Sequence, residues 1–132
     1  MPIAKELTIQ VEDKPGTLAQ CCRRLADCHV NILAFQAFER EGQSVIRMIV
    51  DDPATAKKLL DADRIYYTET EVAQVKLPHR SGELFCAASR LGEAHININY
   101  AYCGTDPGSN MALVIFGVTD AATAVSLLEP SR

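Results

Sequence analysis

No stretch of about 18 apolar residues interrupts this sequence, so none of it reads as a membrane-spanning helix. Basic residues are not in excess either. Thirteen Lys and Arg against 17 Asp and Glu give a net charge of -4 and a pI near 5.3, and no positive field to gather phosphates; nucleic acid is not an expected partner. The five cysteines, Cys21, Cys22, Cys28, Cys86 and Cys103, are odd in number and lack a Cys-x-x-Cys spacing. That argues against a disulfide framework or a zinc site and predicts reduced, mostly buried thiols. Paired carboxylates, a phosphate loop and metal-ligand spacings are also missing, so no catalytic residue, metal or cofactor is expected. The opening Met1-Pro2-Ile3-Ala4-Lys5-Glu6 lacks the basic and apolar regions of a signal peptide, and a cytoplasmic location is expected.

What the sequence does have is an internal repeat. Asp13-Lys14-Pro15-Gly16-Thr17-Leu18 returns about 66 positions later as His79-Arg80-Ser81-Gly82-Glu83-Leu84. Arg24-Leu25 matches Arg90-Leu91, and His29-Val30-Asn31-Ile32 matches His95-Ile96-Asn97-Ile98. Repetition at a fixed offset fixes the domain organisation before propensity is consulted. It divides the chain into residues 1–70 and 71–132. A unit of about 60 residues buries only roughly 60% of the surface of its unfolded chain, so neither half is expected to stand alone.

Leu7, Ile9 and Val11 alternate with polar residues as in a strand with one buried face. Lys14-Pro15-Gly16 breaks it, and Leu18, Cys22, Leu25 and Ala26 fall on one face of a helix, with Thr17 and Gln20 spaced as a capping box. Strands follow from Val30 and over 45–50, separated by a polar hairpin at 39–43. Asp52-Pro53 starts a second helix, and Ile65 to Thr68 is a fourth strand. The second half repeats the order with strands over 72–77, 96–102 and 111–118, a helix over about 82–94, and a last helix opened by Asp120. Its hairpin, 104–110, absorbs the change of offset from about 66 to about 68. The expected class is α+β: two ferredoxin-like βαββαβ repeats, each an antiparallel sheet with helices on one face, the second lacking its last strand.

Asp13-Lys14-Pro15-Gly16-Thr17-Leu18, followed after one helix by Val30-Asn31-Ile32, resembles the opening of an ACT domain, the small regulatory module of amino-acid metabolism. The second copy is similar but looser, with His79 in the acidic position and Ser81 in place of Pro. The resemblance covers nearly the whole chain as a tandem pair. It implies binding of a free amino acid in the crevice between two such domains, by the turn after the first strand and the start of the second. Carried onto this sequence, the candidates are Asp13, Lys14, Pro15, Gly16, Thr17, Leu18, Asn31 and Ile32, with His79, Ser81, Gly82, Leu84, Asn97 and Ile98 from the second copy.

Each candidate also has a structural reading. Gly16 and Gly82 serve a turn, Asp13 is a loop charge or a cap, and Asn31 and Asn97 can bond local backbone. His29 and His95, paired by the repeat, sit where a helix ends and a residue at positive φ is expected, and capping explains them better than a catalytic pair. The tyrosines at 66, 67, 100 and 102 suit an interface or half-buried packing equally.

The leading reading is a non-enzymatic sensor or regulatory protein that binds a small amino acid, as a homodimer. The alternative is an assembly or regulatory subunit of an amino-acid biosynthetic enzyme, for example one like acetolactate synthase, with no ligand of its own. The missing last strand would leave 72–77 with an open edge, to be covered by the first copy or by a second chain.

Overall fold

The computed structural model describes residues 3–106 and 109–128. In chain order these form β1 (Ile3–Glu12), α1 (Thr17–Asp27), β2 (Ile32–Arg40), β3 (Gln43–Val50), α2 (Pro53–Ala62) and β4 (Tyr67–Pro78), then α3 (Glu83–Glu93), β5 (Ile98–Asp106), β6 (Met111–Val118) and α4 (Ala121–Leu128). Pro107 and Gly108 of the expected second hairpin, and the tail from Glu129, lie outside the described residues. The chain divides into two compact units, Lys5–Thr70 and a second running from Glu71, to which Ile3 and Ala4 also belong.

In the Lys5–Thr70 unit the hydrogen-bonded order is β2-β3-β1-β4, the ferredoxin-like arrangement. β3 runs antiparallel to both β1 and β2, with Leu7 opposite Met48 and Ala37 opposite Ile46. Leu7, Ile9, Ile46, Met48 and Val50 turn toward α1 and α2 and meet Cys21, Leu25, Ala56 and Leu60 in one core. The opposite face of β3 is also buried at Val45 and Ile49, which is why this central strand reads as almost continuously apolar.

Its exception, Arg47, lies 3.9 Å from the fully buried carboxylate of Glu6. Arg47 also donates to Gln36 Oε1 at 3.3 Å, and its guanidinium stands 5.0 Å from the centre of the Phe38 ring. A charge withdrawn from water needs such a partner, and breaking the pair is far costlier than the pair is stabilising.

In the second unit β4 and β5 both run antiparallel to β6, with Val75 opposite Val114 and Tyr102 opposite Ile115. Ala73, Val75, Val114 and Phe116 pack against Ala87, Leu91, Ala121, Ala124 and Leu128. The Tyr100 ring lies across Gly117, where a Cβ would collide with it. At the edge expected to be open at 72–77, β4 neighbours β1 as well as β6, and Ile3, the start of β1, belongs to this unit and packs against its core.

Three helix ends share one closure. After α1, His29 takes φ 60, its N–H donates to Ala26 O, and the Val30 N–H donates to Leu25 O at 2.9 Å. After α2, Arg64 takes φ 58, with Arg64 bonded to Asp61 O and Ile65 to Leu60 O; after α3, His95 takes φ 59, with His95 bonded to Gly92 O and Ile96 to Leu91 O. Each is a Schellman motif, in which a left-handed residue lets the chain turn back and satisfies two terminal carbonyls. The apolar contact that accompanies it is also present: Leu25 with Val30 and Leu60 with Ile65 in one core, Leu91 with Ile96 in the other. This places His29 and His95 in the expected capping role.

Several local expectations are corrected. The strands expected from Val30 and from Ile96 begin at Ile32 and Ile98, because the preceding residues are spent on these closures, and β4 begins at Tyr67 for the same reason. The buried face of α1 is Cys21 and Leu25, while Leu18 is 37% exposed. Thr17 does not cap α1: the N-cap is Gly16, and the Thr17 hydroxyl donates instead to the carbonyls of Glu12 and Lys14. Cys28, Cys86 and Cys103 are exposed rather than buried, since they fall at a helix end, on the outward side of α3 and on the edge strand β5.

Replacing His29 or His95 by Gly should raise the unfolding free energy by up to about 1 kcal/mol, read from urea denaturation, because Gly carries no Cβ into the left-handed region. Arg47→Ala should lower it by about 3 kcal/mol, at the low end for a broken buried pair because the separation is long.

Candidate functional site

The two glycine turns are built alike in backbone and differently in side chains. Gly16 has φ 91 and Gly82 φ 90, the left-handed region in which an L side chain is strained. In both copies the first helical N–H returns to the turn, Thr17 to Lys14 O at 3.4 Å and Glu83 to Arg80 O at 3.3 Å. No side chain caps either helix. Each helix therefore presents its positive dipole end behind a residue without a side chain.

In the first copy the hydroxyl of Thr17 ties the turn to the end of β1, and the Asp13 carboxylate accepts from the Ser44 hydroxyl at 3.0 Å. Lys14 Nζ stands 3.6 Å from Glu12, both exposed, a pair that water weakens. In the second copy Glu83 occupies the position of Thr17 and accepts from Arg80 at 2.6 Å. His79 is held through its backbone, its N–H donating to Asn110 O at 2.8 Å. Pro15 and Ser81 are exposed at the corresponding place, as are Leu18 and Leu84.

Asn31 is tightly engaged. Asp51 accepts from its backbone N–H at 2.9 Å and from Nδ2 at 2.8 Å, while the Asp51 N–H donates to the Asn31 carbonyl at 3.0 Å. The repeat places Thr119 where Asp51 stands, and there Asn97 donates to Asn99 Oδ1 at 3.0 Å instead. Ile32 and Ile98 open the edge strands and are half-buried.

These candidates do not form one cluster within a unit. Glu12, beside the turn, pairs with Gln43, whereas Ile32, beside Asn31, pairs with Val50. Seven strand residues separate those positions, roughly 23 Å. The same holds in the second unit, where Pro78 pairs with Met111 and Ile98 with Val118. The turn and the Asn-Ile pair stand at opposite ends of each sheet.

At the turn end of the Lys5–Thr70 unit a cavity of about 530 Å³ opens between α1 and α2. Val11, Cys21, Leu25, Leu59, Leu60 and Ile65 make its apolar lining; Glu12, Lys14, Thr17, Gln20, Arg24 and Asp63 are among its polar residues. Lys14 and Thr17 thus belong to the turn and the cavity alike. Arg24 and Asp63 join the helices by a forked contact, Nε to Oδ2 at 2.8 Å and Nη2 to Oδ1 at 3.1 Å. The Arg24 guanidinium holds the Asp63 carboxyl below its ordinary range, and Asp63 in turn raises Arg24. Burial pushes the Cys21 thiol up to about 11, with Cys22 and Asp63 adding to it, so this sulfur is a protonated wall of the cavity rather than a nucleophile. Sequence reasoning missed Arg24, Asp63 and Asp51, whose roles depend on partners 20 or more residues away.

Among the described residues no group of three or more His, Cys, Asp and Glu could hold a metal ion, and no helix is long and apolar enough to cross a membrane.

Residues 1–129 match the family described as the ACT domain pair. Among solved structures, protein BT0572 from Bacteroides thetaiotaomicron is 27% identical, with a TM-score of 0.88 over 96% of this chain and 87% of that one. The ligand-free regulatory subunit of aspartate kinase from Thermus thermophilus shares the fold at 16% identity, TM-score 0.69, over 97% of this chain and 89% of that one. A structure of aspartokinase alpha and beta subunits does so at 21% identity, TM-score 0.61, over 97% and 95%. No curated protein matches the sequence.

Three carboxylates are held below their ordinary range: Asp52 and Asp120 mainly by the hydroxyls of Thr55 and Thr123, and Asp63 by Arg24. A carboxyl depressed on folding stabilises the native state fully above its unfolded pKa, near 3.9, and loses that contribution as pH falls through the folded value. The melting temperature should therefore fall as pH drops below about 4, and Asp52→Asn with Asp120→Asn should flatten that decline while lowering the plateau at pH 7.

Proposed function

The chain belongs to the ACT domain pair family, and on that footing we propose that it is a non-enzymatic regulatory or sensor protein that binds a small free amino acid at its glycine turns. The observation that carries this reading is the duplicated turn: a glycine at positive φ, no side-chain cap, and a helix N-terminus behind it. Such an end suits a carboxylate, and in the first copy Asp13 supplies the opposite charge for an ammonium group. Within a unit Asn31 stands at the far end of the sheet, so a ligand that uses both a turn and an Asn-Ile pair draws them from two different ACT units. We propose that a second copy of the chain associates through the sheet edge at β2, giving a homodimer.

The second copy supports a second reading, an assembly or regulatory subunit of an amino-acid biosynthetic enzyme that needs no ligand there. His79 replaces the acidic residue, and the Arg80–Glu83 pair occupies the turn. A stable enzyme partner recovered by co-purification regardless of amino acids would favour this reading over the sensor.

Titration calorimetry against the twenty amino acids should give heat, and a raised melting temperature, for at least one; silence from all twenty in both measurements defeats the sensor reading. Asp13→Ala should weaken that binding more than His79→Ala, and the reverse order would assign the ligand to the second copy. Light scattering should give a dimer mass at high micromolar concentration.

A further inference from the structure

We infer that the cavity between α1 and α2 receives the side chain of a large apolar amino acid, whose zwitterionic head is held at the charged rim. The inference rests on the amino-acid-binding reading and revises it in two respects: the ligand's side chain is large rather than small, and its ammonium meets Glu12 and Asp63 at the cavity rim instead of Asp13. Thr17, Gln20, Cys21 and Leu25 line the cavity from α1, and Leu59 and Leu60 from α2, with Ile65 beyond. Its volume of about 530 Å³ lies within the range of small-molecule sites, roughly 300–1,000 Å³.

The rim decides the head group. Lys14, Arg23 and Arg24 bring positive charge, Glu12, Asp27 and Asp63 negative, and lone acids or amines of the same size gain no net attraction from this balanced set. A zwitterion can place its carboxylate toward Lys14 and Arg24 and its ammonium toward Glu12 and Asp63. Neither rim pair is sealed from water, so both can exchange partners: Lys14 is 58% exposed and Arg24 46%. The apolar floor then discriminates among amino acids by the carbon each can bury. Burying a leucine- or phenylalanine-sized side chain favours it over glycine by roughly tenfold to hundredfold.

The test is calorimetry on the full chain with L-leucine, L-phenylalanine, glycine and 4-methylpentanoate, which keeps the leucine side chain and carboxylate but lacks the ammonium. Leucine or phenylalanine should bind at least tenfold more tightly than glycine and than 4-methylpentanoate. Leu59→Trp, from a half-buried position, and Gln20→Trp, from an exposed one, should each fill the cavity and cost at least tenfold; circular dichroism confirms that the variants fold. On the unaltered chain, amide NMR shifts on adding leucine should concentrate at 17–25 and 59–65. If apolar amino acids bind but those shifts lie elsewhere, or both folded Trp variants keep affinity within twofold, the cavity assignment is overturned while amino-acid binding stands. Equal binding of 4-methylpentanoate overturns the zwitterionic head, and no heat from any of the twenty amino acids overturns both readings together.

Discussion

Among the described residues, the ends of α1, α2 and α3 are fixed by the same backbone closure. At His29, Arg64 and His95 the chain passes through the left-handed region for one residue and turns back into a strand. The turn is locked by two backbone hydrogen bonds and by a leucine of the last helical turn packed on the first apolar residue beyond it. These contacts pin the final turns of α1 and α2 to the core through Leu25 and Leu60. They leave the sides of those helices, where Gln20, Cys21 and Leu59 meet, without comparable filling. The cavity follows from that contrast: fixed helix ends, thin side chains between them. The cost of the closure is one non-glycine residue at positive φ, of the order of 1 kcal/mol each.

Much of this was legible in the sequence because it is local and occurs twice. Asp52 and Asp120 each accept from the backbone N–H and the hydroxyl of the threonine three residues on, as a capping carboxylate followed by a helix leads one to expect. The helix ends at His29 and His95 could be read from the β-branched residues that follow, and their positive φ from the resemblance, in which ACT domains often carry glycine there, together with the tolerance of His for that region. The repeat carried the fold class, since two matched halves with the same order of elements leave few topologies open.

What was not legible depended on distance along the chain. The alternation of β1 shows that Leu7 and Ile9 are buried, but not that Ile3 joins the core of the unit that begins at Glu71. Helical spacing put Leu18, Cys22, Leu25 and Ala26 on one face of α1; in the core only Leu25 of these is buried, joined by Cys21, so the buried stripe is rotated from the expected one. The capping box at Thr17 was outcompeted by the carbonyls of Glu12 and Lys14, which the turn brings within reach of the hydroxyl. Asn31 meets Asp51 because β2 and β3 are paired, a fact of register that neither residue announces.

The two copies keep one backbone and diverge in charge, and the divergence is where function separates from fold. Thr17, Asp13 and Asp51 of the first copy become Glu83, His79 and Thr119 in the second. None of these changes disturbs the glycine turn, whose φ differs by one degree between copies. They change what an incoming carboxylate meets: behind Gly16 a neutral hydroxyl whose proton is already donated, behind Gly82 an acid already paired with Arg80. A ligand carboxylate at the second turn must compete with Glu83 for Arg80 and sit close to a like charge, which in partly exposed surroundings is a penalty on affinity but not on folding. The cavity follows the same division. Its walls unite the open turn of the first copy, through Lys14 and Thr17, with an apolar floor that the fold does not need to leave empty. An unfilled space beside Leu59 and Leu60 forgoes packing energy that a larger residue at Cys21 would recover, by about 24 cal/mol for each Å³ of truly enclosed volume.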